Sequence, residues 1–533
     1  MSGCLVPARM SGMSLSPADE EEGFRLQLQL LPGDARVHSQ FAGFLATQGR
    51  AAEAIEQYER AISLQANPRD HQRLAALLNN ERRFSDAIPH LQAALAAAPE
   101  DVRRLTDLGN TLVNARQPEE ALPFLRQAVH CSPAEQATHN NLALALTDLG
   151  RFAEAEQSLF EALRWKPAHA PTYNNLGHLY IMMGRHAEAI GVLERALQYD
   201  PQHALARRNR ALTHLALGDF ERGWLDYDWC APGIIQPADP APLWHGQALA
   251  GKRLLLTARQ GLGDLVQFIR YARLLKALPT PPVHVALECP LPLLKVLAGV
   301  EGIDQLIALG DPLGTFDLSV PVMALPRLLC TTVETIPAKG PYLTADPDRI
   351  AAWRQRLSPL RERGRRLVGL YWQGNPHHQW DRFRSIQLGA FEPLTRVPTI
   401  RMISLQRGPG IEQIEPFNRL TRGALHVPTD GQQTTPEHLA DTAAIMMELD
   451  LVITVDTVTA HLAGALARPV WVAIAQAADW RWLTGRSDSP WYPTMRLFAS
   501  RERSTGVRSS RRLLLRSLTK WSDSYFRFRL DDL

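Results

Sequence analysis

Four prolines, Pro99, Pro133, Pro167 and Pro201, stand 34 residues apart. Ala87, Ala121, Ala155 and Ala189 keep the same step, as do Ala94, Ala128, Ala162 and Ala196, and Gly150, Gly184 and Gly218. A shared period in several residue classes marks a chain built from one repeated supersecondary unit, and this constrains the fold more than any other feature. The unit itself is legible. Asn175-Leu176-Gly177-His178-Leu179-Tyr180 is apolar at helical spacing, Gly184-Arg185 breaks the helix, Glu188 to Leu197 forms a second helix, and Pro201 opens the next unit. Small Ala and Gly residues recur where two helices must pass closely.

This pattern resembles the tetratricopeptide repeat, a helix-turn-helix of 34 residues that stacks into a superhelix with a concave groove. About six units fit between Asp34 and Trp229, the first two less regular, with Pro68 and Pro99 only 31 residues apart. Such a groove is expected to bind a peptide or protein; the alternative is a spacer or a dimerisation surface. Asn140-Asn141 and Asn174-Asn175 occupy matching repeat positions. They read either as an amide ladder holding an extended peptide or as residues that cap and solvate helix starts.

Beyond Trp229 the pattern changes. Pro232 to Pro242 is proline-rich and reads as a boundary. Arg253 to Ala258 reads as a strand, Gln260-Gly261-Leu262-Gly263-Asp264 as a turn, Leu265 to Leu278 as a helix, and Val283 to Leu287 as a second strand. This βαβ start predicts a parallel sheet. A second series follows: strands at Arg366 to Trp372, Arg401 to Leu405, Leu451 to Val455 and Val470 to Ile474, with helices at Thr442 to Leu449 and Val458 to Leu466. Two series joined near Pro341 to Asp348 predict two nucleotide-fold lobes with a cleft between them. Ligands in open α/β sheets sit at the carboxyl ends of strands, where every motif below falls.

Gly261 and Gly263 precede a helix start that favours anions, and Asp264 reads as a general base in the cleft or as a helix cap. Gly374 to Ser385 packs Asn375, His377, His378, Asp381, Arg382, Arg384 and Ser385 into one loop. That density of charge suits a polar cleft, with the arginines neutralising a diphosphate, or a solvated loop with local salt bridges. Asp456, Thr457 and His461 bring a helix N-terminus, a hydroxyl and an imidazole together, suited to phosphate or ribose, or else a cap with a core histidine. Asp479-Trp480-Arg481-Trp482, with the Arg486 to Pro493 loop, could stack a base or sugar, or pack as an ordinary loop.

As a set these residues, with Ser404-Leu405-Gln406, resemble bacterial tetratricopeptide-repeat proteins fused to a heptosyltransferase-like domain of glycosyltransferase family 9. The arrangement is similar to the protein O-linked N-acetylglucosamine transferases, over roughly Asp34 to Phe498. The resemblance implies an α solenoid followed by a two-lobed, Rossmann-like α/β domain of the GT-B fold, and inverting transfer from a nucleotide-sugar with no metal and no other cofactor. It places Asp264 at the base position. It assigns Gly261, Gly263, Asn375, His378, Asp381, Arg382, Arg384, Ser385, Gln406, Asp456, Thr457, His461, Asp479 and Trp480 to the donor. The pairs Asp226/Asp228 and Asp346/Asp348 read as coincidence rather than as metal sites. The chain departs from that family where Gln379 and Trp380 replace a Lys and an Asn, and where Val458 follows Asp456-Thr457. The alternative function is a degenerate domain on a protein-binding scaffold.

The domain reading is therefore an extension (1–33), repeats (34–230), a linker (231–250), a first lobe (251–345), a second lobe with the nucleotide-sugar site (346–500) and a divergent basic tail, read as disordered (501–533). Met13, just ahead of the acidic run Asp19 to Glu22, reads as a start. A net charge of +3 gives no reason to expect nucleic acid. The five scattered cysteines suggest neither disulfides nor zinc, no apolar run reaches membrane length, and a cytoplasmic location is expected.

Overall fold

The computed structural model describes residues 16–227, 241–259, 261–376, 378, 381–428, 437–475 and 477–499, without the side chains of 362, 363 and 382. The expectations for Met13, the first half of the 231–250 linker, Asp228, His377, Gln379, Trp380, the Arg382 side chain and the 501–533 tail lie outside the described residues. The chain divides into two compact units, 1–175 and 176–533. The compact division thus falls inside a repeat, not at the proline-rich boundary.

In the first unit, α1 (Pro17–Leu30) precedes helical hairpins α2 (Ala35–Thr47) with α3 (Ala51–Leu64), α4 (Pro68–Asn80) with α5 (Phe84–Ala96), α6 (Val102–Asn114) with α7 (Pro118–Cys131), and α8 (Gln136–Asp148) with α9 (Phe152–Trp165). Helix α10 (Ala170–Met182) starts in this unit and ends in the second. There α11 (His186–Tyr199), α12 (Ala204–Ala216) and α13 (Phe220–Tyr227) complete six hairpins. The periodic alanines, 87, 121, 155 and 189 with 94, 128, 162 and 196, are all fully buried. Close helix approach is the reason. At Gly109 a β-carbon would lie 2.5 Å from Leu125, and at Gly177 2.6 Å from Leu193.

One repeat position keeps its backbone but not its residue type. The turn inside each hairpin uses a left-handed residue: Gly49, Gly150, Gly184 and Gly218, but Arg82 (φ 59°) and Arg116 (φ 67°) in the second and third hairpins. The backbone geometry repeats even where the glycine does not.

The second unit continues with strand β1 (Arg253–Thr257), α14 (Leu262–Phe268), α15 (Ala272–Lys276), β2 (His284–Cys289), β3 (Gln305–Ala308), β4 (Leu318–Pro321), α16 (Leu325–Leu328) and α17 (Pro347–Leu357). Then come β5 (Arg366–Tyr371), α18 (Asp381–Arg384), β6 (Ile400–Ser404), α19 (Ile414–Thr421), β7 (Leu425–His426), α20 (His438–Met447), β8 (Leu451–Val455), α21 (Val458–Ala465), β9 (Val470–Ile474) and β10 (Met495–Ala499). All pairings between these strands are parallel, in the orders β3-β2-β1-β4 and β10-β9-β8-β5-β6-β7. Burial on both faces explains the continuous apolar runs, as at Leu254 to Leu256, all fully buried. In each sheet the first strand lies between strands that run off to either side. That doubly wound order opens a crevice at the carboxyl ends of β1 and β4, and of β5 and β8.

One helix differs from expectation. The segment read as Leu265 to Leu278 begins three residues earlier and is broken by a 3-10 turn at Ile269–Tyr271. Gly261 is therefore the cap residue, and Asp264 sits inside the first turn, its Oδ2 accepting the Gly261 N–H at 3.1 Å.

Candidate functional site

The motifs after β1, β5, β8 and β9 converge. Helices α14 and α21, one from each sheet, meet at their N-termini: a β-carbon on Gly263 would stand 2.9 Å from His461 Cδ2. His461 is fixed from its other sides. Its Nδ1 lies 2.9 Å from the Tyr492 hydroxyl, and its ring stacks on Trp482 at 5.2 Å and 16°. Burial, followed by the charges of Arg481, Arg270 and Arg384, holds this imidazole well below its usual pKa and keeps it neutral. It is a packed histidine with one nitrogen committed.

Arg481 is the centre of charge. It donates to Asp264 Oδ1 at 2.5 Å and to Asp479 Oδ1 at 2.8 Å, with its guanidinium about 5 Å from the Phe268 and Trp480 rings. Burial opposes its charge, but Asp479 and Asp264 outweigh that and raise its pKa. Both oxygens of Asp264 are thus engaged, one by Arg481 and one by the Gly261 amide. Asp456 is partly exposed by surface area, yet protein atoms surround its carboxyl; burial and then the nearby Asp479 charge push it up to about 6. Its backbone carbonyl accepts Arg384 Nη1 at 3.0 Å, which joins the β5 and β8 loops. Thr457 occupies the cap position of α21, but its hydroxyl makes no capping bond.

The loop after β5 closes largely on itself. Ser385 Oγ accepts the Gly374 amide at 2.9 Å and donates to buried Asp381 at 2.8 Å, while Arg384 Nε lies 3.5 Å from Asp381. Gln406 accepts both the Trp372 and Gln373 amides at 3.0 Å and donates to the Gln373 and Pro409 carbonyls. Asp381, Ser385 and Gln406 hold the strand ends in place. Asn375 and His378 remain exposed at the mouth. Burial, then Arg384, lowers the His378 pKa.

Trp480 has a different place from the stacking platform the sequence suggests. It is 4 % exposed and packs edge-on against Trp224, Phe220 and Trp491. These contacts, with the Trp224 Nε1 bond to the Thr331 carbonyl at 2.9 Å, weld the last hairpin to the α/β region. The first member of each acidic pair is engaged locally: Asp226 accepts Arg210 at 2.7 Å, and Asp346 caps α17. Among the described residues no three His, Cys, Asp or Glu side chains gather as a metal site. No helix among them is long and apolar enough to cross a membrane.

In the repeats, Asn175 Nδ2 donates to Asn140 Oδ1 at 2.9 Å and Asn174 Nδ2 to Asn175 Oδ1 at 3.3 Å. Asn174 is buried, so three of the four expected groove asparagines bond one another between neighbouring repeats. Asn141 is half-buried. Two open concavities among the described residues lie between α2 and α4 and between α4 and α6.

Residues 35–68, 80–137 and 135–202 match family models for tetratricopeptide repeats. The first part of this chain is a tetratricopeptide-repeat array. Repeats of this kind serve as protein-interaction scaffolds. Protein FlbA of Caulobacter vibrioides is 30% identical over 323 residues, 55% of this chain and 51% of that protein. The chain spans about half the length of this curated relative. Among solved structures, YrrB, described as a tetratricopeptide protein with an unusual peptide-binding site, is 24% identical over 35% of this chain and 96% of its own, with a TM-score of 0.30. A tetratricopeptide protein from Parabacteroides merdae is 19% identical over 42% and 88%, with a TM-score of 0.38.

Proposed function

We propose that the α/β region takes a nucleotide-linked sugar at the meeting point of its two sheets and that the repeats recruit a protein acceptor. The observation carrying this is the convergence of Asp264, from the end of β1, with Arg481, Asp479, Asp456 and Arg384, from the ends of β9, β8 and β5. Both crevices are topological switch points, the usual ligand sites of doubly wound sheets. Arg384 and the α21 N-terminus suit a diphosphate. In the transfer, the acceptor oxygen bonds to the anomeric carbon as the bond from that carbon to the diphosphate oxygen breaks. The acceptor proton passes to Asp264, and Arg384 holds the departing diphosphate. The acceptor must first displace Arg481 from Asp264 Oδ1. Asn375, His378, Asp381, Ser385 and Gln406 shape the wall, and Arg382 is placed there by sequence alone. The reading needs no metal or other cofactor.

A second reading is a protein-binding scaffold whose α/β region has lost transfer. It is favoured by the internal commitment of Gln406, Ser385, Asp381 and both Asp264 oxygens.

Thermal shift with UDP-, GDP- and ADP-linked sugars, on wild type and Arg384→Gln, separates the two. At 100 times its Kd a ligand stabilises by about 2.7 kcal/mol. A donor that raises the melting point only in wild type supports the transferase; no shift from any donor leaves the scaffold.

A further inference from the structure

We propose that His71 and His90 form an acid-sensitive joint in the second hairpin, holding α4 to α5 while the pair carries at most one positive charge and parting them when both rings are protonated. This property is separate from recruitment by the repeats and from sugar transfer, and rests on neither.

The two rings meet nitrogen to nitrogen. His71 Nδ1, on α4, lies 2.9 Å from His90 Nδ1, on α5. The ring centres are 5.2 Å apart, close to the largest separation that such a nitrogen contact permits, so the two nitrogens point straight at each other. The contact is a hydrogen bond only if one Nδ1 carries a proton and the other is bare. A neutral pair satisfies this, with the accepting ring protonated at Nε2. A first extra proton leaves the bond intact, because it enters at Nε2 of the donating ring. A second has only the bare Nδ1 left, where it sets two N–H groups and two positive charges head to head. The contact does not survive that step.

The surroundings work against the second charge. Both rings are half-buried. Burial is the largest influence on each and lowers both pKa values, and at His90 the His71 charge lowers it further. Asp70 on α4 opposes this at His71, as do Glu59 on α3 and Asp86 on α5 at His90. Asp70 already receives the Ser39 hydroxyl at 2.6 Å and Asp86 the Arg83 guanidinium at 2.8 Å, while Glu59 is exposed. Among the described residues no charge on α6, which packs on α5, acts on either ring. In the unfolded chain both imidazoles take up protons near their ordinary 6.5, so below that pH the unfolded state binds more protons and the hairpin loses stability as the pH falls.

The first hairpin supplies the contrast. At the equivalent positions, 33 residues earlier, His38 Nδ1 lies 2.8 Å from Gln57 Oε1 and Nε2 3.1 Å from the Pro32 carbonyl. Both partners are oxygens, so a charged His38 donates to each and keeps its contacts. The same helix-to-helix contact tolerates a proton in one hairpin and breaks on it in the next.

Hydrogen–deuterium exchange read by mass spectrometry on the full chain tests this at about pH 7.5 and about pH 5.5, with labelling times scaled for the intrinsic exchange rate. Protection of residues 68–96 should fall about threefold or more at the lower pH, relative to residues 35–64 in the same molecules. His90→Gln copies the His38–Gln57 pair and should hold 68–96 at its neutral-pH protection under both conditions. If circular dichroism shows His90→Gln unfolded, His71→Gln replaces the other partner of the bond and carries the same expectation. Protection of 68–96 that keeps pace with 35–64 in wild type overturns the proposal, and so does an equal loss in acid for wild type and variant.

Discussion

Gly263→Ala tests the closeness of the carboxyl ends of the two sheets. The added methyl would sit 2.9 Å from His461 Cδ2, 3.5 Å from Nε2 and 3.6 Å from the Val458 Cα. The nearest contact is shorter than side-chain packing allows, so the imidazole or one helix must move. The imidazole is poorly placed to move, being bonded to Tyr492 and stacked on Trp482. Tyr492 in turn abuts Gly464, where a β-carbon would lie 2.3 Å from the ring. Overpacking of this kind costs about 1–3 kcal/mol. Replacing glycine in a helix returns about 0.5–1 kcal/mol, less in a first turn. A net loss of about 1–2 kcal/mol is expected. Gly191→Ala is the control: it lies exposed inside α11 with nothing within 4 Å of a β-carbon. It should gain about 0.5–1 kcal/mol from helix propensity alone. Urea unfolding followed by tryptophan fluorescence reads both, since Trp480, Trp482 and Trp491 are buried in this unit. If Gly263→Ala is as stable as wild type while Gly191→Ala is stabilised, the reasoning that α14 and α21 are locked by His461 is wrong.

Arg116→Gly should stabilise the first unit by about 1 kcal/mol, because φ of 67° strains any side-chain-bearing residue; an unchanged denaturation midpoint would count against it. Arg481→Met strips the counter-ion from Asp264 and Asp479 and should cost about 3–5 kcal/mol, part of it recovered in the double variant with Asp264→Asn. Strict additivity in that double-mutant cycle would contradict the pairing. Asp456→Asn bears on pH. A carboxyl raised to about 6 stabilises the native state fully below its ordinary unfolded pKa and loses that contribution as pH rises towards 6. The variant lacks this loss, so above a pH of about 7 it should exceed wild type by about 1–2 kcal/mol, allowing for partial solvent screening, and the gap should close in acid. A gap independent of pH would remove the titration from Asp456.

The repeat architecture is written in the chain because each hairpin buries the same positions against its neighbour. Period and burial are the same fact seen twice, and the alanines at 87, 121, 155 and 189 carry both. Strands β8 and β9 were legible to the residue, since a parallel strand covered on both faces must be a short apolar run between breakers. The strand ends, and so the motif positions, followed. What the residue types could not say is which polar groups face a ligand and which face the backbone. Gln406 and Ser385 look like binding residues in one dimension, but Gln406 is taken up by amides at the end of β5 and Ser385 by the first amide of its own loop. Trp480 looks like an exposed platform, but a hairpin some 250 residues earlier covers it. Asn140 and Asn175, one position off register in successive repeats, come close enough to bond each other instead of a guest. Only tertiary structure sets those partners, because a hydrogen bond or a ring contact depends on distance in space while a sequence records only distance along the chain.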